Sequence, residues 1–136
     1  MRRYIVFRGL LLLAMCGSSK PSHPPRELSR LFATADRAVV TNLYWQFGFT
    51  VTGEEVGRLA NAIVGSKEDR LPAAAAFDCG IEFYSGTNFL GVIQLQEYVF
   101  VLEDTQYSDN SGVLKTFYKK WLDQKRAALE AETRRR

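Results

Sequence analysis

A chain of 136 residues, 46% hydrophobic and 24% charged, is long enough to bury one core and too apolar to stay disordered. Its formal net charge of +3 comes from 18 Lys+Arg against 15 Asp+Glu, and Arg2, Arg3 and Arg8 account for the whole excess. Beyond residue 8 the balance is 15 against 15, which excludes the strongly basic surface of a nucleic-acid binder, and two cysteines are too few for a disulfide framework.

Those arginines, the apolar run over residues 9–15 and the small and polar residues after it have the layout of an export signal. The run is too short to span a bilayer, which takes about 20 apolar residues. Leu13-Ala14-Met15-Cys16 resembles the bacterial lipobox. The resemblance implies that Cys16 becomes the lipid-bearing first residue of the mature protein and anchors it to the membrane. Met15 stands where that pattern takes Gly, Ala or Ser. Ordinary cleavage before Gly17, with Ala14 and Cys16 in the two small-residue positions, accounts for the same stretch. The expected organisation is an export signal over 1–16, a flexible linker over 17–25, a single domain over 26–124 and a basic helical or frayed tail over 125–136. The expected location is extracytoplasmic, in the bacterial envelope or secreted.

Within the domain, Leu28, Leu31, Phe32 and Ala35 share one face of a helix over 25–35. A period-two segment follows, read as one strand that Gly48 bends or ends. Val39, Leu43, Trp45, Phe47, Phe49 and Val51 take one side of it; Ala38, Val40, Asn42, Tyr44 and Gln46 take the other. Thr52-Gly53-Glu54-Glu55 fits a capping box at the start of a helix, Val56, Leu59, Ala60, Ile63 and Val64 form its stripe, and Gly65 suits a left-handed stop. A polar loop leads to strands over 77–84, 89–96 and 98–103, with Tyr107 in a short returning edge. Val113, Leu114, Phe117, Tyr118, Trp121 and Leu122 then line a last helix, capped from within 109–112. The fold class is α+β: a small two-layer domain with an antiparallel sheet of about four strands and helices on one face, in the order α-β-α-β-β-β-α.

Catalytic chemistry has few candidates. The only histidine, His23, lies in the proline-rich linker, which argues against nucleophile triads and most zinc sites. No glycine-rich phosphate loop is present, since Gly53, Gly57 and Gly65 sit within one helix pattern. Cys79 alternates with Phe77, Ile81 and Phe83, which suits a buried small hydrophobe. Glu82, Glu97, Glu103 and Asp104 are read as solvated acids rather than a glycosidase pair. No catalytic residue, cofactor or metal is assigned.

The suggestive surface is the sheet face away from that core, where Tyr44, Gln46, Glu82, Tyr84, Leu90, Val92 and Gln94 are expected to project unless the first helix covers them. Tyrosine, aliphatic and amide groups together suit a protein or ligand contact. The function expected from the sequence is that of an exported, lipid-anchored or secreted envelope protein acting as a non-catalytic binding or inhibitor-like module. Its partner is an unidentified protein or small ligand of the envelope, not nucleic acid. A carboxylate-dependent hydrolase of envelope polymers and a structural accessory subunit are the alternatives.

Overall fold

The computed structural model describes residues 23–42, 48–70 and 77–136. Cys16, Tyr44 and Gln46 lie outside the described residues, as do the expected export signal and most of the expected linker. At the linker's end Pro24 is buried, and the His23 ring donates from Nδ1 to the Ser66 carbonyl at 3.0 Å. The described end of the expected linker is thus tied to Ser66.

Helix α1 (Arg26–Ala33) ends at Thr34, whose hydroxyl donates to the Leu31 carbonyl at 2.7 Å. It buries Phe32, which meets Phe83 at a ring separation of 4.8 Å. The expected single strand is two strands instead. β1 (Arg37–Asn42) and β2 (Gly48–Thr52) pair antiparallel, with Val40 opposite Phe49 and Ala38 opposite Val51. Gly48 is what the close approach needs, because a Cβ there would lie 2.6 Å from the Val40 carbonyl oxygen. The reversal also overturns the assignment of faces: Ala38 and Val40 are fully buried on the same side as Phe49 and Val51. Val39, expected on the core side, is only half-buried on the other.

Helix α2 (Glu54–Val64) buries Val56, Leu59, Ala60, Ala62 and Ile63. Its expected capping box is not formed. Thr52 stays in β2 opposite Arg37, and the helix opens at Gly53 without a side-chain cap. Gly65 is not left-handed either (φ −80°); Ser66 closes the helix, its hydroxyl donating to the Ala62 carbonyl at 2.7 Å. The expected polar loop begins with a two-residue strand, β3 (Lys67–Glu68).

The remaining strands are β4 (Cys79–Ser85), β5 (Asn88–Gln96), β6 (Val99–Leu102) and β7 (Thr105–Ser108), each joined to the next by a two-residue turn. Helix α3 (Val113–Arg135) follows. Asp109 supplies its cap: one carboxylate oxygen accepts from Leu114 N at 3.0 Å, the other from the Ser111 N–H and hydroxyl. Residues 129–136 are exposed, so the last turns of α3 project past the core. No helix among the described residues is long and apolar enough to cross a membrane.

The class is α+β with an antiparallel sheet, as expected. The sheet has seven strands, not about four, in the spatial order β2-β1-β4-β5-β6-β7-β3, and the chain order is α-β-β-α-β-β-β-β-β-α. The additional strands are the edge strands β2 and β3; β7, expected as a short returning edge at Tyr107, is instead an inner strand paired with both β6 and β3. Alternate residues of the strands, among them Ala38, Val40, Ile81, Phe83, Ile93, Leu95 and Phe100, join Phe32, Leu59, Phe117 and Trp121 of the helices in one core cluster.

Candidate functional site

Side chains alternate across a strand, so the residues between those core positions share the opposite face. Register places them in rows. Arg37 lies beside Tyr84 and Tyr84 beside Phe89; Val39 lies beside Glu82 and Glu82 beside Val92; Thr41, Gly80 and Gln94 follow. Of the residues expected on an open face, Glu82, Tyr84, Val92 and Gln94 are therefore brought together. No helix among the described residues packs over these rows, and α1, the one element expected to compete for them, sits on the core side through Phe32 and Phe83.

Leu90 is redirected. Phe83 pairs with Gly91 but Tyr84 pairs with Phe89, which leaves Leu90 as the extra residue of a bulge. Gly91 is where α1 docks: a Cβ there would come within 3.1 Å of two Phe32 ring carbons. The bulge turns Leu90 to pack against the core and puts Phe89 beside Tyr84, leaving it 57% exposed, with Val92 41% exposed nearby. Sequence reasoning missed Phe89 and Arg37. A glycine inside a strand pattern is the signal for such a bulge. Arg37 was hidden by the misassigned face of β1.

The cluster around Tyr84 is fixed from several sides. Its hydroxyl donates to Glu82 Oε2 at 2.8 Å, the Arg37 guanidinium carbon lies 4.5 Å from its ring centroid, and the Phe89 ring meets it edge-on at 5.7 Å. Arg37 Nη2 also donates to the Gly86 carbonyl at 3.3 Å, and the Gly86 N–H donates to Asp36 Oδ2 at 2.9 Å. The hydrogen bond to Glu82, together with desolvation and that carboxylate's charge, pushes the phenol's pKa above its usual value, although Arg37 opposes the shift. Among the described residues neither Arg37 nor Glu82 has an ion-pair partner on its own chain. Among the described residues the face therefore presents the Tyr84 ring between a cation and an anion, neither of them in an ion pair.

The other acids do not join Glu82. Glu97 stands in the β5–β6 turn, and Glu103 and Asp104 stand in the β6–β7 turn at the other end of β6. Among the described residues no three His, Cys, Asp or Glu side chains gather as a metal site would require. Cys79 is buried in the core, and burial pushes its thiol up to about 12, with Asp78 adding to the shift. Asp78 itself ties α3 to the start of β4, accepting from the Tyr118 hydroxyl at 3.2 Å and from Lys125 Nζ at 3.5 Å. A cleft of about 440 Å³ between α2 and α3 has the buried Leu59 and Phe117 among its lining, and the Lys120–Glu55 ion pair joins its two walls, so it reads as a packing seam.

No family model, curated protein or solved structure matches this chain.

Proposed function

We propose that this chain is an exported, non-catalytic binding module of the bacterial envelope, carried there by residues 1–16 and anchored through Cys16 or released by cleavage beside it. The sheet face bearing Arg37, Glu82, Tyr84, Phe89, Val92 and Gln94 is its binding surface, and the partner is a protein. The observation that carries this reading is the locked Arg37–Tyr84–Glu82 cluster with Phe89 beside it. Aromatic and arginine side chains held in place before association lose little entropy on binding, and such residues dominate interface energetics. The alternation of the strands supports two layers, with the helices on one side and this face on the other.

Two measurements test the two halves of the proposal. Fractionation with lipid labelling of the full-length chain and its Cys16→Ser variant reads location; unlabelled, full-length protein confined to the cytosol ends the export reading. A photo-crosslinker placed at position 89 in intact cells should trap a discrete adduct, and one at Lys119 on α3 should not. Absence of any adduct specific to position 89 rules out the face as the binding surface.

A further inference from the structure

We infer that the partner taken by this face is a second copy of the same chain, so that two sheets meet face to face across a two-fold axis. The inference rests on the reading above that the face binds protein, and it names which protein.

The argument starts from the two charges. Arg37 and Glu82 flank Tyr84, one across the strand pair and one two residues back along β4, and neither is neutralised by an ion pair within its own chain among the described residues. An interface that buries an unpaired charge is strongly disfavoured, so an occupant has to bring an acid to Arg37 and a base to Glu82. The face itself carries that complement. On the spacing of a regular sheet, a two-fold axis lying in the interface through Tyr84 and Val39 exchanges the positions of Arg37 and Glu82 to within a few ångströms. Each copy's guanidinium then meets the other's carboxylate, and Tyr84 and Val39 meet their own counterparts on the axis. Phe89 and Val92, the most exposed large apolar groups on this face, lose water at the edge of the contact. The balanced charge of the chain beyond residue 8 leaves no long-range repulsion between copies.

Size sets the strength. With the two-residue β3 left aside, the other strands, spaced about 4.8 Å apart with roughly six residues each at about 3.4 Å, give a face of about 500 Å². A standard stable interface takes about 800 Å² from each partner. The pairing is therefore a weak one, read at protein concentrations from about 5 µM to about 500 µM.

The test is the mass of the purified full-length chain in solution over that range, by light scattering or sedimentation equilibrium, with charge swaps on the face. The wild type should shift from monomer towards dimer as concentration rises. Arg37→Glu alone sets like charges opposite one another and should weaken the dimer roughly tenfold or more, as should Glu82→Arg alone. The double variant Arg37→Glu/Glu82→Arg should return the dissociation constant to within about threefold of wild type, because the reciprocal pairs re-form with exchanged signs. Far-UV circular dichroism and the urea midpoint confirm that each variant is folded. A wild-type chain that stays monomeric throughout overturns the inference, as does a dimer indifferent to the single swaps or one the double swap fails to rescue. If the chain is monomeric while position 89 still crosslinks to another molecule in cells, the self-pairing fails and the binding surface stands.

Discussion

Strands β1, β4 and β5 present two chemistries from the same backbone. On the helix side Ala38, Val40, Ile81, Phe83 and Ile93 are fully buried, and on the other side Arg37, Glu82, Tyr84 and Val92 reach solvent. The first set holds the fold together by removing apolar area from water. The second leaves its side chains in contact with water, and around Tyr84 it gathers the Glu82 hydrogen bond, the Arg37 guanidinium and the Phe89 ring. The difference predicts that substitutions on the two sides separate cleanly, with stability responding to one and association to the other.

The most damaging change should be Phe83→Ala. The ring is fully buried and packed on Phe32, so its loss removes transfer free energy and leaves a cavity, at about 3–5 kcal/mol by urea denaturation. A cost below about 1 kcal/mol would mean that the helix side is not the core. The thiol of Cys79 probes the same side through pH. Its folded value of about 12 lies above the ordinary 9.0, so the stability it contributes is fully present below pH 9 and is lost as pH rises towards 12. The unfolded chain ionises first in that window, and stability should fall by up to about 1.4 kcal/mol per pH unit. Lysines and tyrosines titrate there too, so the contribution is read as the difference between wild type and Cys79→Ala. Parallel pH profiles for the two proteins would remove Cys79 from the core.

The helix side also depends on how α3 is held. Asp109 is buried and its two oxygens accept three hydrogen bonds at the head of that helix. Asp109→Ala leaves those donors unpaired and should cost about 1–2 kcal/mol, read as a lowered urea midpoint. A variant as stable as wild type would show that α3 is placed by Leu114, Phe117 and Trp121 alone.

Which parts of this division were legible in the sequence follows from how local each signal is. The helices announced themselves, because the stripes from Val56 to Ile63 and from Leu114 to Trp121 recur within a few residues. The open-face residues Glu82, Tyr84, Val92 and Gln94 followed from period two alone. The β1–β2 reversal was hidden because Gln46 is the one polar residue among the apolar and aromatic ones of 43–47, with no polar turn cluster before Gly48, so one long strand fits the pattern as well as two short ones. β3 was invisible for another reason: two residues have no periodicity, and Lys67 and Glu68 become a strand only by meeting Ser108 and Tyr107, about forty positions away in the chain. Phe89 reached the open sheet face through a bulge next to Gly91, where Phe32 packs closely, which is a tertiary event.

The smallest expected effect is the most discriminating. Phe89→Thr removes a large aromatic side chain, and by size alone it should hurt as much as Phe83→Ala. Phe89 is 57% exposed, so little of its area is taken from water on folding, and threonine keeps the strand preference. Its edge contact with Tyr84 is worth about 0.5–1 kcal/mol in a partly exposed setting, and the unfolding free energy from urea denaturation should fall by no more than that. The crosslinked adduct and the dimer should both weaken, since the same ring supplies apolar area to an occupant. If Phe89→Thr instead costs several kcal/mol in dilute monomer, the ring is covered by the chain's own residues, and the face is a second core rather than a surface kept for a partner.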